Sequence, residues 1–106
     1  MSDVVRASHI LLMYSGSLRS ATDRSKEQAL EQIRSIKTEL DNGADFAAIA
    51  RERSDCLSRD AGGDLGAFTR GQMVESFEEA AFALAVGAHS DVVETPFGYH
   101  LIRRTA

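Results

Sequence analysis

A single cysteine, Cys56, stands in 106 residues, so no internal disulfide can form and no zinc site of several thiolates can be assembled. This usage fits a reducing compartment. Runs of lysine and arginine are missing as well: 12 basic residues are scattered among 16 acidic ones, for a formal net charge of -4. The electrostatic footprint of a nucleic-acid binder is therefore absent. No stretch approaches the roughly 20 apolar residues needed to cross a bilayer. The opening MSDVVRASHILLMYS has its apolar run broken by Ser8 and His9 and carries neither a basic leader nor a small-residue cleavage pattern, so it does not read as a signal peptide. Repeats, low-complexity tracts and internal linkers are missing too. What remains is a composition of 43% hydrophobic and 26% charged residues, that of a soluble folded domain, at a length one core can fill. We expect a single domain over residues 1–106, a monomer in the cytoplasm, with neither nucleic acid nor membrane as partner.

Hydrophobic patterning divides the chain into seven elements. Residues 4 to 13, VVRASHILLM, are dense in β-branched and aliphatic side chains and lack helix-start chemistry, which predicts a buried strand carrying His9. A polar Ser- and Gly-bearing loop follows and ends at Ser25, placed with Gln28 for a capping box. From Lys26 to Leu40 the positions Ala29, Ile33, Ile36 and Leu40 fall on one helical face, and Asp41-Asn42-Gly43 supplies a C-cap. Asp45 is set to cap a second helix with Phe46, Ile49 and Ala50 inward, ending near Arg53. LGAF at 65 to 68 reads as a short strand and Thr69-Arg70-Gly71-Gln72 as a turn. Ser76 with Glu79 predicts a capping box for a third helix, with Phe77, Ala80, Ala81 and Leu84 as its apolar stripe and Gly87 as its end. Asp91 to Glu94 and Tyr99 to Arg104 read as strands joined by a Thr95-Pro96-Phe97-Gly98 turn. The order strand, helix, helix, strand, helix, strand, strand is an α+β arrangement.

Three residues able to do chemistry sit in different elements: His9 on the first strand, Cys56 ahead of a glycine-bearing segment, and His100 on the last strand. If the terminal strands are neighbours, as close-lying domain termini suggest, the two histidines meet at mid-sheet with Cys56 above them. From the residues alone several readings stay open. The histidines are hydrogen-bonded core residues and the thiol a small buried hydrophobe; or the trio ligates zinc, though no pair has the usual short ligand spacing; or Cys56 is a nucleophile with a histidine base.

The strings RASHIL (6 to 11), SDC (54 to 56), GGDLGAF (62 to 68), RGQM (70 to 73), FEEAAFAL (77 to 84) and GYHLI (98 to 102) resemble, in order and spacing, the parvulin peptidyl-prolyl cis/trans isomerases. The likeness runs from about Val5 to Arg104. It implies a four-stranded antiparallel sheet surrounded by helices and an enzyme that turns X-Pro bonds in proline-containing peptide or protein segments, with no cofactor and no metal. It implies that His9 and His100 lie under the substrate proline and that Cys56 stands beside the rotating bond. Leu65, Met73 and Phe77 then hold the proline ring, Phe68 and Thr69 line the same site, and Gln72 falls in the matching motif. A non-catalytic peptide-binding or chaperone module using the same groove is the alternative.

Phosphate-directed members of that family carry a basic cluster after the first strand. At the matching positions this chain has Met13, Leu18 and Arg19, so Arg19 alone keeps its charge, with Arg24 and Lys26 further along. Phe97 stands where those members have a serine, which widens the apolar wall, and Asp60 to Gly63 is neutral or acidic. We expect no strong preference for phosphoserine or phosphothreonine before the proline.

Overall fold

Alternation along the two central strands decides the architecture. The computed structural model describes residues 4–106. Its strands are β1 (Val4–Leu12), β2 (Asp64–Thr69), β3 (Val93–Thr95) and β4 (Gly98–Arg104), and its helices α1 (Lys26–Asp41), α2 (Phe46–Arg53) and α3 (Glu75–Ala83). The strands form one antiparallel sheet in the order β2-β1-β4-β3. The first and last strands are thus neighbours at its centre, and the architecture is α+β.

The register pairs His9 with Ile102 and Leu11 with His100. Because successive side chains point to opposite faces, the odd-numbered residues of β1 share a face with the even-numbered residues of β4. The other face, Ile10, Leu12, Tyr99 and Leu101, packs against Ala29, Ile33, Ile36 and Leu40 of α1 and Phe46, Ile49 and Ala50 of α2. Each large aliphatic side chain buried there contributes about 1.5–3 kcal/mol. The first face meets only α3, through Phe77 and Ala81 packed with Val5, Ala7, Phe68 and Ile102. A nine-residue helix is only about 13 Å long, whereas the nine residues of β1 run about 30 Å. The helix α3 therefore covers only part of this face, reaching His9 and His100 through Phe77 near its start.

Local chemistry explains where elements start. Ser25 Oγ accepts the Gln28 N–H and the Gln28 side chain accepts the Ser25 N–H, the capping box read from the sequence. Asp45 caps α2 by accepting the Ala48 N–H. The third helix departs from the reading: it starts at Glu75 with Val74 as cap residue, and no side chain caps it. Ser76 instead donates to the Glu94 carbonyl of β3, and Glu78 accepts the Gly71 N–H. Tertiary partners thus replace the local box. The Leu57–Ala61 segment forms a 3-10 turn that the sequence did not signal, and β3 starts two residues later and ends one residue later than read, taking Thr95 into the strand.

Gly63 fixes the height at which the chain crosses β1. Its carbonyl accepts the His9 N–H at 2.9 Å, its φ is 87°, and an added Cβ would run into the His9 carbonyl oxygen. Only glycine combines that approach with that backbone angle.

Candidate active site

On the same face of the sheet as α3 lies a cavity of about 970 Å³. Its floor is His9, Leu11 and His100 from the central strands, with Phe77 from α3. Asp55, Cys56 and Leu57 form one wall, Gln72, Met73 and Val74 another, and Met13, Arg19, Ala21 and Thr22 from the β1–α1 loop a third, with Phe97 of the β3–β4 turn beside it.

The histidines are 5% and 4% exposed. Their Nδ1 atoms stand 3.0 Å apart and their rings stack at 5.2 Å between centroids. His100 Nε2 lies 2.6 Å from Thr95 Oγ1, and that oxygen also accepts the Phe97 N–H at 3.2 Å. His9 Nε2 is buried with no hydrogen-bond partner among the described residues. Burial holds the His9 imidazole down from the ordinary 6.5 to about 4. Burial, and then the neighbouring His9, bring His100 to about 3. Both rings are neutral at neutral pH, so one proton lies between the two Nδ1 atoms and one ring donates while the other accepts.

Phe77 joins this pair to the core. It is 2% exposed and presents its edge to His9 at 5.6 Å and to His100 at 5.4 Å, while touching Phe68 at 6.1 Å. Met73 is half-buried on the same core cluster. Cys56 is a partly exposed free thiol whose backbone N–H points to Ser54 Oγ at 3.4 Å. Ser54 in turn is 1% exposed and accepts the Leu11 N–H. The thiol-bearing segment is therefore pinned to the strand beneath the cavity.

The cavity thus brings together His9, His100, Cys56, Met73, Phe77, Gln72, Phe97 and Arg19. Leu65, Phe68 and Thr69 are not among its lining residues. Leu65 is half-buried against the core cluster behind it, Phe68 packs between Phe77 and Phe82, and Thr69 is exposed at the end of β2, donating its N–H to Gln72 Oε1. Adjacency in the GGDLGAF string says nothing about which side of Phe77 a residue takes. Two further residues escaped the sequence reading. Thr95 could have been suspected as a β-branched hydroxyl at the hairpin, opposite the last-strand histidine. Asp55 gave no local signal, since its partners are Met13 and Arg24, far away in the chain.

On the phosphate question, Arg24 is engaged with Asp55 at 2.7 Å and with the Met13 carbonyl at 2.9 Å. Lys26 pairs with Glu94 at 3.0 Å. Arg19 faces the cavity from a left-handed backbone position, φ 62°.

A family model described as the PPIC-type PPIASE domain matches residues 1–106. The chain is 46% identical over 115 residues to "Peptidyl-prolyl cis-trans isomerase Pin1" of Arabidopsis thaliana, covering 98% of this chain and 97% of that protein. It is 45% identical over 102 residues to "Foldase protein PrsA" of Geobacillus sp. (strain WCH70), covering 95% of this chain and 32% of the foldase. Among solved structures, the peptidyl-prolyl isomerase ESS1 from Candida albicans superposes with a TM-score of 0.90 at 35% identity, over 97% of this chain and 63% of that one. The solution structure of TbPIN1 gives 0.89 at 36% identity, with both chains fully covered.

Proposed function

Because the chain belongs to the PPIC-type (parvulin) family and is a peptidyl-prolyl cis/trans isomerase, acting on proline-containing peptide segments, we propose that the X-Pro bond turns in the cavity over His9 and His100, without strong preference for a phosphorylated residue before the proline. The carrying observation is the composition of that cavity: an apolar floor and wall, Phe77 and Met73, beside one polar rim bearing Cys56.

The reaction needs no bond cleavage. Amide resonance opposes rotation by about 18–20 kcal/mol, and a catalyst gains only from contacts stronger in the twisted state than in either planar one. In our reading Met73 and Phe77 hold the proline ring, with Leu65 backing them and Gln72 and Phe97 at the edges. The carbonyl preceding the proline swings past Cys56, whose sulfur shapes the local electrostatics without attacking carbon. The stacked histidines hold the floor rigid: neutral and hydrogen-bonded to each other and to Thr95, they offer Phe77 a fixed surface.

Substrate preference follows from charge. A phosphate dianion calls for several charge-assisted donors. Arg19 supplies one, while Arg24 and Lys26 are occupied by Asp55 and Glu94. The similar Geobacillus protein is named a foldase, and we take folding client segments, met by a cytoplasmic monomer, as the natural substrates. A free Cys56 thiol beside the carbonyl suits a reducing compartment.

Turnover on matched Leu-Pro, Glu-Pro and phosphoserine-Pro peptides tests this reading. Comparable kcat/KM across the three supports it, and an advantage of roughly a hundredfold or more for the phosphopeptide, about 3 kcal/mol, overturns the preference.

A further inference from the structure

The β1–α1 loop supplies Met13, Arg19, Ala21 and Thr22 to one wall of the cavity, and Asp55, Cys56 and Leu57 form another that meets it where the Met13 N–H donates to Asp55. The loop has no helix or strand of its own, and Arg19 within it holds a backbone angle that a free chain rarely adopts. Something must hold it. Arg24 Nη1 donates both to the Met13 carbonyl, at 2.9 Å, and to Asp55 Oδ2, at 2.7 Å. The same carboxylate oxygen accepts the Met13 N–H at 2.9 Å, and the Arg24 carbonyl accepts the Ser15 N–H at 2.7 Å. Both backbone groups of Met13, just past the end of β1, are thus satisfied by this pair of side chains.

The second wall hangs on the same point. The Asp55 N–H donates to the Leu11 carbonyl at 2.7 Å and Ser54 Oγ accepts the Leu11 N–H at 3.0 Å, so residues 54 and 55 run beside β1 and deliver Cys56. With side-chain exposures of 20% and 28%, Arg24 and Asp55 form a more sheltered ion pair than Lys37–Asp41 or Arg53–Glu39. Charged groups hydrogen-bonded in this way are stronger than neutral ones.

We propose that Arg24 is a positioning residue of this isomerase: paired with Asp55, it clasps the β1–α1 loop to the Cys56 segment and sets the spacing of the two walls. The proposal rests on the cavity being the isomerase site. Arg24 is absent from the cavity lining, so it acts through Met13 and Asp55. Misplacement of a binding group by about 1 Å costs on the order of a hundredfold in rate, which makes such a clasp consequential for turnover even where its effect on stability is small.

The experiment compares wild type, Arg24→Met, Arg24→Lys, Asp55→Asn and the double variant Arg24→Met/Asp55→Asn. Each is read by KM and kcat on a Leu-Pro peptide and by the rate of Cys56 alkylation with iodoacetamide. Arg24→Met should raise KM by about tenfold, lower kcat less, and change the alkylation rate severalfold as the segment loosens. Arg24→Lys should restore only part, since an ammonium lacks the planar fork of a guanidinium. The double variant should be no worse than the single ones, the signature of one coupled unit. Lys37→Met, which removes a cation from the ion pairs with Asp41 and Asp91, should behave as wild type. Wild-type KM and alkylation in Arg24→Met, or the same loss in Lys37→Met, would overturn the clasp. A wild-type protein that does not turn over X-Pro peptides contradicts the isomerase reading instead, and the alkylation rates then decide the clasp by themselves.

Discussion

His9 and His100 face each other Nδ1 to Nδ1 at 3.0 Å across the two central strands, close enough that a single proton lies between the two nitrogens. Burial depresses both, His9 to about 4 and His100 to about 3, whereas a histidine in the unfolded chain titrates near 6.5. Between those values the unfolded chain binds protons that the folded chain refuses. The contribution to stability is therefore complete above pH 6.5 and is lost as pH falls toward 4, by up to about 1.4 kcal/mol per pH unit for each ring. Urea unfolding midpoints measured at steps down from neutral pH should fall through that window, and more shallowly in His9→Leu. A flat profile would contradict two buried neutral histidines.

Thr95 anchors the outer end of the pair. Its hydroxyl meets His100 Nε2 at 2.6 Å and accepts the Phe97 N–H, and the residue is 4% exposed. Thr95→Val keeps the shape but leaves buried polar atoms unsatisfied, at a cost of about 1–3 kcal/mol, while Thr95→Ser retains the bonds. Chemical denaturation of both variants checks this, and a valine variant as stable as wild type would remove Thr95 from the network.

Gly63 and Gly66 both have positive φ, 87° and 75°, but only at Gly63 would a Cβ strike the His9 carbonyl oxygen. Gly66 looks onto open space. Alanine should therefore cost more at 63 than at 66, by more than about 1 kcal/mol, and Gly63→Ala should also slow isomerisation by shifting the strand under the cavity. Equal costs in thermal unfolding would show that the close approach is not what the glycine serves.

Much of this fold can be read from residue order, and the reasons for the rest are physical. Ser25 and Gln28 announce α1 because both halves of their capping box lie within one turn. Ser76 and Glu79 look alike on paper, yet Ser76 donates across to Glu94 and the start of α3 is set by contacts with β3 and the turn before it. The histidines fall at mid-sheet once the terminal strands pair, and β1 and β4 do pair. Leu65, Phe68 and Thr69 came with a motif that fixes their spacing along the chain but not their position relative to Phe77. The Arg24–Asp55 pair spans 31 residues and has no local signature; Arg24 in sequence is one more loop cation.

Phe68 and Met73 separate core from cavity. Phe68 is 5% exposed behind Phe77, whereas Met73 lines the cavity. Phe68→Leu should lower stability by about 1 kcal/mol with little change in kcat/KM. Met73→Ala should lower kcat/KM by about tenfold, or ~1.4 kcal/mol of transition-state contact, with a smaller loss of stability. Paired melting curves and peptide turnover decide it, and the reverse pattern would move the proline socket to the other side of Phe77.

Torsional chemistry at Cys56 is measured most directly by exchange NMR on a short Leu-Pro peptide with substoichiometric protein. The wild-type protein should produce cis/trans exchange cross-peaks on a timescale far shorter than the tens of seconds of the uncatalysed bond. Cys56→Ser should weaken them strongly at nearly unchanged melting temperature, and intact mass should show no adduct. Peptide shifts without exchange, undiminished exchange in Cys56→Ser, or a covalent Cys56 adduct would contradict it.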